Sequence, residues 1–163
     1  MILIGGGARS GKSRFALEKA RSMGGSRAFV ATATGSDDEM IVRIRQHREE
    51  RGGEFTTIEE PIELARVISE AKFDVLVIDC LTLWLSNVMF QKKACEIDAL
   101  ERAVEAMRGT IIVVTNEVGS GIVPTDHALS REFRDQAGIL NQRIAAIAQE
   151  VYFMVFGQAL RIK

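Results

Sequence analysis

The sequence predicts a three-layer α/β fold with a mostly parallel central sheet. Short apolar runs, which are typical of buried strands, alternate along the chain with segments of helical periodicity. The runs at 75–79 and 110–115 are rich in Val, Ile and Leu without polar alternation, as expected of parallel strands covered on both faces. In residues 151–163, Gly157 and Gln158 lie between two apolar runs, which predicts an antiparallel hairpin at the edge of the sheet.

Several of the predicted helices carry a local signal at one end. A helix over 12–23 ends at Gly24 and Gly25, and one over 37–51 begins with acidic residues and ends with arginines, which matches the helix dipole. Pro61 suits the first turn of a helix over 61–71. The other predicted helices are 83–91, 94–108 and 128–149, and the predicted strands are 2–5, 28–33, 55–58, 75–79, 110–115 and 151–156.

The composition predicts one folded domain over residues 1–163. A chain of 163 residues has the size of a single domain and can bury a sizeable core. It is 47% apolar and 26% charged, and 21 basic against 22 acidic residues give a net charge of −1. This balance argues against a strongly basic nucleic-acid-binding protein, although it permits a local basic patch.

The sequence also predicts a cytoplasmic protein. Cys80 and Cys95 lack metal-ligand spacing, and Cys80, which follows an apolar run, is expected to be a small buried hydrophobic residue. The longest uncharged run, 80–91, is too short to cross a bilayer, and no basic leader precedes the first apolar run. A reducing compartment fits these features.

Segment 6–13 carries a motif that binds the phosphates of a nucleotide. It satisfies GxxxxGK followed by Ser or Thr, and it lies between a predicted strand and a predicted helix, as the motif requires. Glycines let successive N–H groups point at phosphate oxygens, and the helix N-terminus adds its positive dipole end. Lys12 is expected to reach the β- and γ-phosphates. The predicted nucleotide-binding residues here are Gly6, Gly7, Ala8, Arg9, Ser10, Gly11, Lys12 and Ser13.

A second metal ligand is predicted at Asp79. The Ser13 hydroxyl of the motif is suited to Mg²⁺, and a site of this kind usually adds a carboxylate. Asp79 ends an apolar run, at the edge of the sheet where α/β proteins bind ligands. An acidic residue before a helix can also act as its N-cap, so the sequence supports two roles for Asp79, and both could hold.

His47 is one of two histidines and lies among arginines. On a helix, Arg43, His47 and Arg51 are successive i, i+4 neighbours on one face. Neighbouring positive charge favours the neutral imidazole, which is a competent nucleophile, and arginines are good phosphate ligands. The pattern alone leaves two interpretations open, a solvated basic face and a catalytic or phosphate-binding site.

The loop 115–124 follows the most apolar predicted strand. Its polar residues Thr115, Asn116 and Glu117 would emerge at the carboxyl edge of the sheet, and its glycines permit close approach to a ligand. An ordinary connection is the alternative. His127, which follows this loop, is expected to lie on the surface or to cap the next helix.

Taken together and in order, five segments resemble one enzyme family. They are GGARSGKS at 6–13, DDEMxxRIxxHR at 37–48, DCLTLWLSN at 79–87, TNEVGSGIVP at 115–124 and REFRDQAGxxNQR at 131–143. The family is the bifunctional adenosylcobinamide kinase/adenosylcobinamide-phosphate guanylyltransferase of cobalamin assembly. The resemblance runs nearly end to end, and its last four segments are more specific than the phosphate loop.

The resemblance implies two reactions. A nucleoside triphosphate, ATP or GTP, phosphorylates adenosylcobinamide; GTP then guanylylates a histidine, and GMP passes to adenosylcobinamide phosphate. The matching histidine is His47, with Lys12 as the other catalytic residue. The resemblance also implies a RecA-like P-loop NTPase fold and a homotrimer. Beyond the loop, the implied nucleotide contacts are Ala31, Thr32, Ala33, Arg48, Glu49, Glu50, Arg51, Glu59 and Asp79.

Two other functions are alternatives. The first is a small-metabolite P-loop kinase without guanylyltransferase activity. It would explain the phosphate loop and Asp79 but would give His47 no function. A RecA-like ATPase stimulated by nucleic acid would need a basic or aromatic strand-binding surface, and the chain has 6% aromatic residues and a net charge of −1. We therefore expect nucleotide and corrinoid substrates with Mg²⁺, no nucleic-acid partner and no membrane span.

Overall fold

The computed structural model describes residues 1–35, 42, 45, 48–49, 51–121 and 126–163. Its strands are β1 (Ile2–Gly6), β2 (Arg27–Ala31), β3 (Thr56–Glu59), β4 (Val75–Asp79), β5 (Thr110–Val114), β6 (Glu150–Val155) and β7 (Gln158–Arg161). The α-helices with described bounds are α1 (Lys12–Arg21), α2 (Leu64–Glu70), α3 (Leu81–Phe90), α4 (Ile97–Ala106) and α5 (Ala128–Ile147). A short 3₁₀ turn, Gly52–Glu54, precedes β3.

The strands form one seven-stranded sheet in the order β3-β2-β4-β5-β1-β6-β7. Among these strands β7 alone runs antiparallel to its neighbour, β6. Phe156 and Gly157 connect the two with φ of +51° and +78°, the left-handed values of a two-residue hairpin turn. The predicted mostly parallel sheet with an antiparallel C-terminal edge is confirmed.

Helices cover both faces of the sheet, so the protein has three layers. On one face α1 packs in a core that includes Ala16, Leu17, Ile4, Val77 and Val114. On the other face α2 to α5 pack in a larger core that includes Leu64, Leu85, Leu100, Leu140 and Ile78. Adjacent residues of β4 thus enter different cores, which is why its sequence is apolar without alternation.

Helix α2 begins at Leu64, three residues after the predicted start at Pro61. The cause is the Glu60 side chain, whose Oε1 accepts hydrogen bonds of 2.9 Å from the N–H groups of Ile62 and Glu63. These bonds hold a turn that takes the place of the first helical residues. Helix α4 likewise begins later than predicted, at Ile97.

The predicted helix over 37–51 lies mostly outside the described residues. The five of its residues that are described are helical: Val42, Arg45, Arg48, Glu49 and Arg51. None of the described helices is long and apolar enough to cross a membrane. Both cysteines are free, and Cys80 is buried as predicted.

Residues that pair with one another across five strands form a row at the edge of the sheet where the parallel strands end. This row, called the register row below, consists of Ile4, Val114, Asp79, Ala31 and Glu59. Val114 of β5 pairs with Ile4 of β1 on one side and with Asp79 of β4 on the other. The row continues from Asp79 to Ala31 of β2 and then to Glu59 of β3. Because neighbouring strands lie about 4.8 Å apart, these positions are brought together although they are distant in sequence.

We expect Gly109→Ala to destabilise the protein by about 1–3 kcal/mol, the cost of overpacking. A Cβ at Gly109 would lie 2.5 Å from the Phe73 carbonyl oxygen and 2.7 Å from that of Asp74. The Asp74 carbonyl also accepts the Thr110 N–H at 2.8 Å, so the start of the β4–β5 pair would have to shift. Urea denaturation measures the loss. Gly24→Ala is the control, since a Cβ there meets nothing within 4 Å; equal losses in both variants would contradict the steric argument.

Candidate functional site

The phosphate-binding loop leaves β1 and closes on the start of α1. Gly6 and Gly11 have φ of +147° and +94°, which favour glycine. A Cβ at Gly6 would lie 2.8 Å from the Met154 carbonyl oxygen, and one at Gly11 would lie 3.5 Å from the Gly157 Cα. The β6–β7 hairpin therefore supports the loop from one side, and the close approach requires glycine at position 6.

Lys12 is buried against this loop, with 6% of its surface exposed. Its Nζ donates to the Gly7 carbonyl at 2.5 Å and lies 3.5 Å from the Ser10 Oγ. Burial lowers the pKa of Lys12, while negative charge on Cys80 and Asp79 would raise it. Burial also raises the pKa of the Cys80 thiol to about 11.

The backbone that carries Asp79 is held by Thr32. The Thr32 hydroxyl donates to the Cys80 carbonyl at 2.9 Å and accepts from the Cys80 N–H at 2.8 Å. The Thr32 N–H donates to the Asp79 carbonyl at 3.2 Å. Cys80, and not Asp79, is the N-cap residue of α3, and no side chain caps that helix, so the capping role considered for Asp79 is not formed.

Helix α3 fastens two neighbouring loops to this edge. The Thr82 hydroxyl accepts the Asn116 N–H at 2.8 Å, which fixes the loop after β5. The Trp84 Nε1–H donates to the Ile62 carbonyl at 2.6 Å, which fixes the loop after β3. Both side chains come from one turn of a helix whose residues Leu81, Leu85 and Val88 are buried in the larger core.

Asn87 adds a third connection from α3. Its side-chain amide donates to the Thr32 carbonyl at 2.8 Å and to the Pro61 carbonyl at 3.2 Å. These two carbonyls belong to the loops after β2 and β3. One amide group therefore joins the two loops whose strands end at Ala31 and Glu59.

The described part of the loop 115–124 lies directly against the phosphate loop. The Glu117 N–H donates to the Gly6 carbonyl at 3.0 Å. Asn141 of α5 accepts from the Thr115 hydroxyl at 2.7 Å and donates to the Asn116 carbonyl at 3.2 Å. This placement favours the ligand-binding interpretation over that of an ordinary connection. Residues 122–125 lie outside the described part.

The arginines around His47, which are Arg43, Arg45, Arg48 and Arg51 and are called the basic cluster below, are described in part. Arg48 forms an exposed ion pair with Glu59. Arg51 is 3% exposed, and its guanidinium lies 4.1 Å from the centre of the Phe29 ring. His47 and Glu50, and the neighbouring Arg43, lie outside the described residues. The nucleotide-binding roles inferred from the resemblance stay predictions for all of them.

His127 is the N-cap residue of α5. It is exposed, and its side chain makes no capping hydrogen bond. The expected surface position at the helix start is therefore confirmed without a side-chain cap.

Sequence reasoning did not single out Thr82, Trp84 and Asn87. Their signal is weak, because a hydroxyl, an indole and an amide within a mostly apolar helix are not distinctive. Polar atoms of a buried helix have to find hydrogen-bond partners, so such residues are expected to reach across to other segments. The pattern does not say which segments those are.

The donor set at this edge fits Mg²⁺ held together with nucleotide phosphates. Ser13 lies in the first turn of α1, next to Lys12, and Asp79 ends β4, so a hydroxyl and a carboxylate offer hard oxygen atoms at this edge. Among the described residues no group of three or more His, Cys, Asp and Glu could hold a metal ion. A Mg²⁺ ion that keeps waters and phosphate oxygens needs one or two protein ligands, so these two suffice.

Comparison with known proteins covers nearly the whole chain. The family model described as cobinamide kinase / cobinamide phosphate guanyltransferase matches residues 2–162. The chain is 43% identical over 167 residues to the bifunctional adenosylcobalamin biosynthesis protein CobP of Pseudomonas aeruginosa, covering 99% of this chain and 96% of that protein. It is 37% identical over 182 residues to the bifunctional adenosylcobalamin biosynthesis protein CobU of Salmonella typhimurium, covering 100% and 99%.

The fold is also found in a solved ATPase of the type III secretion system of pathogenic bacteria. That likeness has a TM-score of 0.51 at 12% identity and covers 94% of this chain and 50% of the ATPase chain. At this identity it shows the fold alone, and the predicted three-layer P-loop fold with a mostly parallel sheet is confirmed. From the full-length match and the two relatives we conclude that the chain belongs to the cobinamide kinase / cobinamide phosphate guanyltransferase family.

Proposed function

We propose that this protein catalyses two consecutive transfers in the assembly of adenosylcobalamin. ATP or GTP first phosphorylates the hydroxyl of adenosylcobinamide, and GMP is then transferred from GTP to adenosylcobinamide phosphate. The observation that carries the proposal is a phosphate loop with a buried lysine in a chain whose relatives are named as bifunctional enzymes of this synthesis. A kinase without guanylyltransferase activity would account for only one of the two activities in the family's description.

In the kinase reaction the protein positions and neutralises the phosphates. Lys12 and the loop N–H groups bind the β- and γ-phosphates. Ser13 and Asp79 would hold Mg²⁺, which neutralises charge on the phosphate oxygens when it is bound. Phosphoryl transfer asks for little covalent chemistry from the protein, so this positioning accounts for most of the rate.

In the guanylyl transfer His47 is the proposed nucleophile. Its imidazole nitrogen attacks the α-phosphorus of GTP, a P–N bond forms, and the P–O bond to the leaving pyrophosphate breaks. An oxygen of adenosylcobinamide phosphate then displaces the histidine and takes the GMP group. Arginines beside His47, among them Arg45 and Arg48, would neutralise the charge on the pyrophosphate. Two displacements through an enzyme-bound GMP predict ping-pong kinetics.

We propose the same nucleotide site for both reactions. It comprises the phosphate loop, the register row and residues 48–51, which follow His47 in the sequence. The residues assigned to it are Gly6, Gly7, Ala8, Arg9, Ser10, Gly11, Lys12, Ser13, Ala31, Thr32, Ala33, Arg48, Glu49, Glu50, Arg51, Glu59 and Asp79. The support is that Asp79, Ala31 and Glu59 lie in one row of the sheet.

We further propose a cytoplasmic homotrimer. Two free cysteines fit a reducing compartment. The C-terminal hairpin has an apolar surface formed by Val155, Phe156, Leu160 and Ile162, all exposed, with Phe156 at 96%. Exposed apolar clusters on an edge strand are typical of protein interfaces, and we assign this surface to a neighbouring subunit.

The guanylyl-histidine predicts a covalent label. Incubation with GTP labelled at the α-phosphorus, followed by denaturation, should leave base-stable, acid-labile label on the wild-type protein and none on His47→Ala. His127→Ala is the matched control, because His127 is the other histidine and lies exposed at the start of α5. Label that persists in His47→Ala, or disappears in His127→Ala alone, would refute the assignment of the nucleophile.

Lys12→Ala should lower kcat/KM of the kinase reaction by about 10²-fold or more, because it removes a positive charge that acts on the transferring phosphate. The rate of ADP or GDP formation that depends on adenosylcobinamide measures this. Lys72→Ala, which removes an exposed lysine before β4, at the other end of the strands, should leave the rate unchanged. An unaffected kinase rate in Lys12→Ala would place phosphoryl transfer elsewhere.

Leu160→Lys should dissociate the trimer, because it inserts a charge into the apolar surface of the hairpin. Light scattering should report the mass of a trimer for the wild type and that of the 18.0 kDa chain for the variant. Ala159→Lys is the control, because side chains alternate along β7 and Ala159 pairs with Met154 on the opposite face. A monomeric wild type, or equal dissociation of both variants, would contradict the assigned interface.

A further inference from the structure

Phosphorylation of an alcohol releases a proton, and the kinase reaction proposed above benefits from a group that accepts it. The inference that follows rests on that proposed function. A carboxylate placed near the γ-phosphate, on the side from which the hydroxyl arrives, is the usual acceptor. The edge of the sheet that holds the phosphate loop is therefore the place to look for it.

Four carboxylates of the described residues follow or end strands at this edge: Glu59, Glu60, Asp79 and Glu117. Glu59 and Glu60 form ion pairs with Arg48 and Arg66, and Asp79 is the proposed ligand of Mg²⁺. Within the described part of the chain, Glu117 takes part in no ion pair. Its negative charge is thus not committed to a neighbouring arginine or lysine there.

The backbone places Glu117 beside the phosphate loop. Its N–H donates to the Gly6 carbonyl, the first residue of the loop motif, at 3.0 Å. Strand β5, which leads into Glu117, lies between β1 and β4. Glu117 therefore leaves the sheet between the phosphate loop and Asp79, on the edge where phosphates and metal are proposed to bind.

The carboxylate of Glu117 is also held in a fixed orientation. Its Oε1 accepts the Gly119 N–H at 2.5 Å and the Ser120 N–H at 3.1 Å. A Cβ at Gly119 would lie 2.8 Å from the same oxygen, so glycine at this position leaves room for the carboxylate. One oxygen is thus used for orientation, and the other, Oε2, has no partner among the described residues.

We propose that Glu117 is the general base of the kinase reaction. The substrate hydroxyl oxygen attacks the γ-phosphorus, a new O–P bond forms, and the bond from that phosphorus to the β-phosphate oxygen breaks. The hydroxyl proton passes to Glu117 Oε2 and from there to water, and the nucleoside diphosphate leaves with the electrons of the broken bond. Glu117 acts in this reaction alone.

The guanylyl transfer does not need this base. The neutral imidazole of His47 attacks with its own lone pair, and the second acceptor is a phosphate oxygen that is already ionised at neutral pH. Neither nucleophile has a hydroxyl proton to lose. Loss of the Glu117 carboxylate should therefore impair the kinase reaction and leave the guanylyl transfer intact, and the two rates can be measured separately.

Glu117→Gln is the test, because the amide oxygen can still accept the Gly119 and Ser120 N–H groups while the basic oxygen is lost. Kinase kcat should fall about 10²–10⁴-fold, the usual contribution of a general base. Formation of enzyme-bound GMP and its transfer to supplied adenosylcobinamide phosphate should change by less than about threefold, with KM for the triphosphate similarly unaffected. Glu105→Gln, on the exposed side of α4, is the matched control and should change neither reaction.

A kinase kcat within about threefold of wild type in Glu117→Gln would overturn the proposal. So would a parallel loss of both reactions, since it would mean that Glu117 supports the loop and not the proton transfer. A wild-type protein that forms enzyme-bound GMP but phosphorylates no adenosylcobinamide would refute the kinase half of the proposed function itself. That result is distinguished from the first two because it is seen before any substitution is made.

Discussion

The pairing of Val114 with both Ile4 and Asp79 is the constraint on which the candidate site depends. Because β5 is hydrogen-bonded to β1 and β4, Asp79 is kept two strand spacings, about 10 Å, from Ile4, the residue of β1 that lies two positions before the phosphate loop. A slip of one residue would turn every side chain of a strand to the other face. Both faces of these strands are apolar, so the packing of particular side chains in the two cores, and not polar alternation, opposes that slip and keeps this distance.

Polar side chains next to this edge of the sheet form hydrogen bonds that hold the loops after the strands in place. Thr32 holds the backbone after β4, and Asn87 joins the loops after β2 and β3. Thr82 and Asn141 hold the loop after β5. A buried donor or acceptor left without a partner costs about 1–3 kcal/mol, so each loop loses stability if it moves away. Hydrogen bonds from helices α3 and α5 thus position backbone that a parallel sheet alone would leave free.

Local signals made most of the fold predictable. The apolar runs and the phosphate-loop motif are patterns of residues that are adjacent in sequence. In the structure the apolar runs form strands, and the phosphate loop lies between a strand and a helix as predicted. The start of α2 was wrong because the Glu60 side chain competes for N–H groups of the first turn, which periodicity does not report. The partners of Asn87 were out of reach for a different reason, since they lie 55 and 26 residues away in sequence. His47 stood out as a histidine among arginines, but its role came from the family resemblance.

Two arginines of the predicted basic cluster differ in what they can give to a phosphate site. Arg51 is buried over the Phe29 ring, where moving its guanidinium would expose an apolar surface. The side chains of Arg48 and Glu59 are 56% and 58% exposed, and ion pairs so exposed contribute about 0–1 kcal/mol. A phosphate could replace the Glu59 carboxylate at little cost, because a phosphate can accept two hydrogen bonds from one guanidinium and carries more charge. Arg51 therefore fastens the helix end to the sheet, and we propose that a triphosphate bound at the site would take over the contact of Arg48 with Glu59.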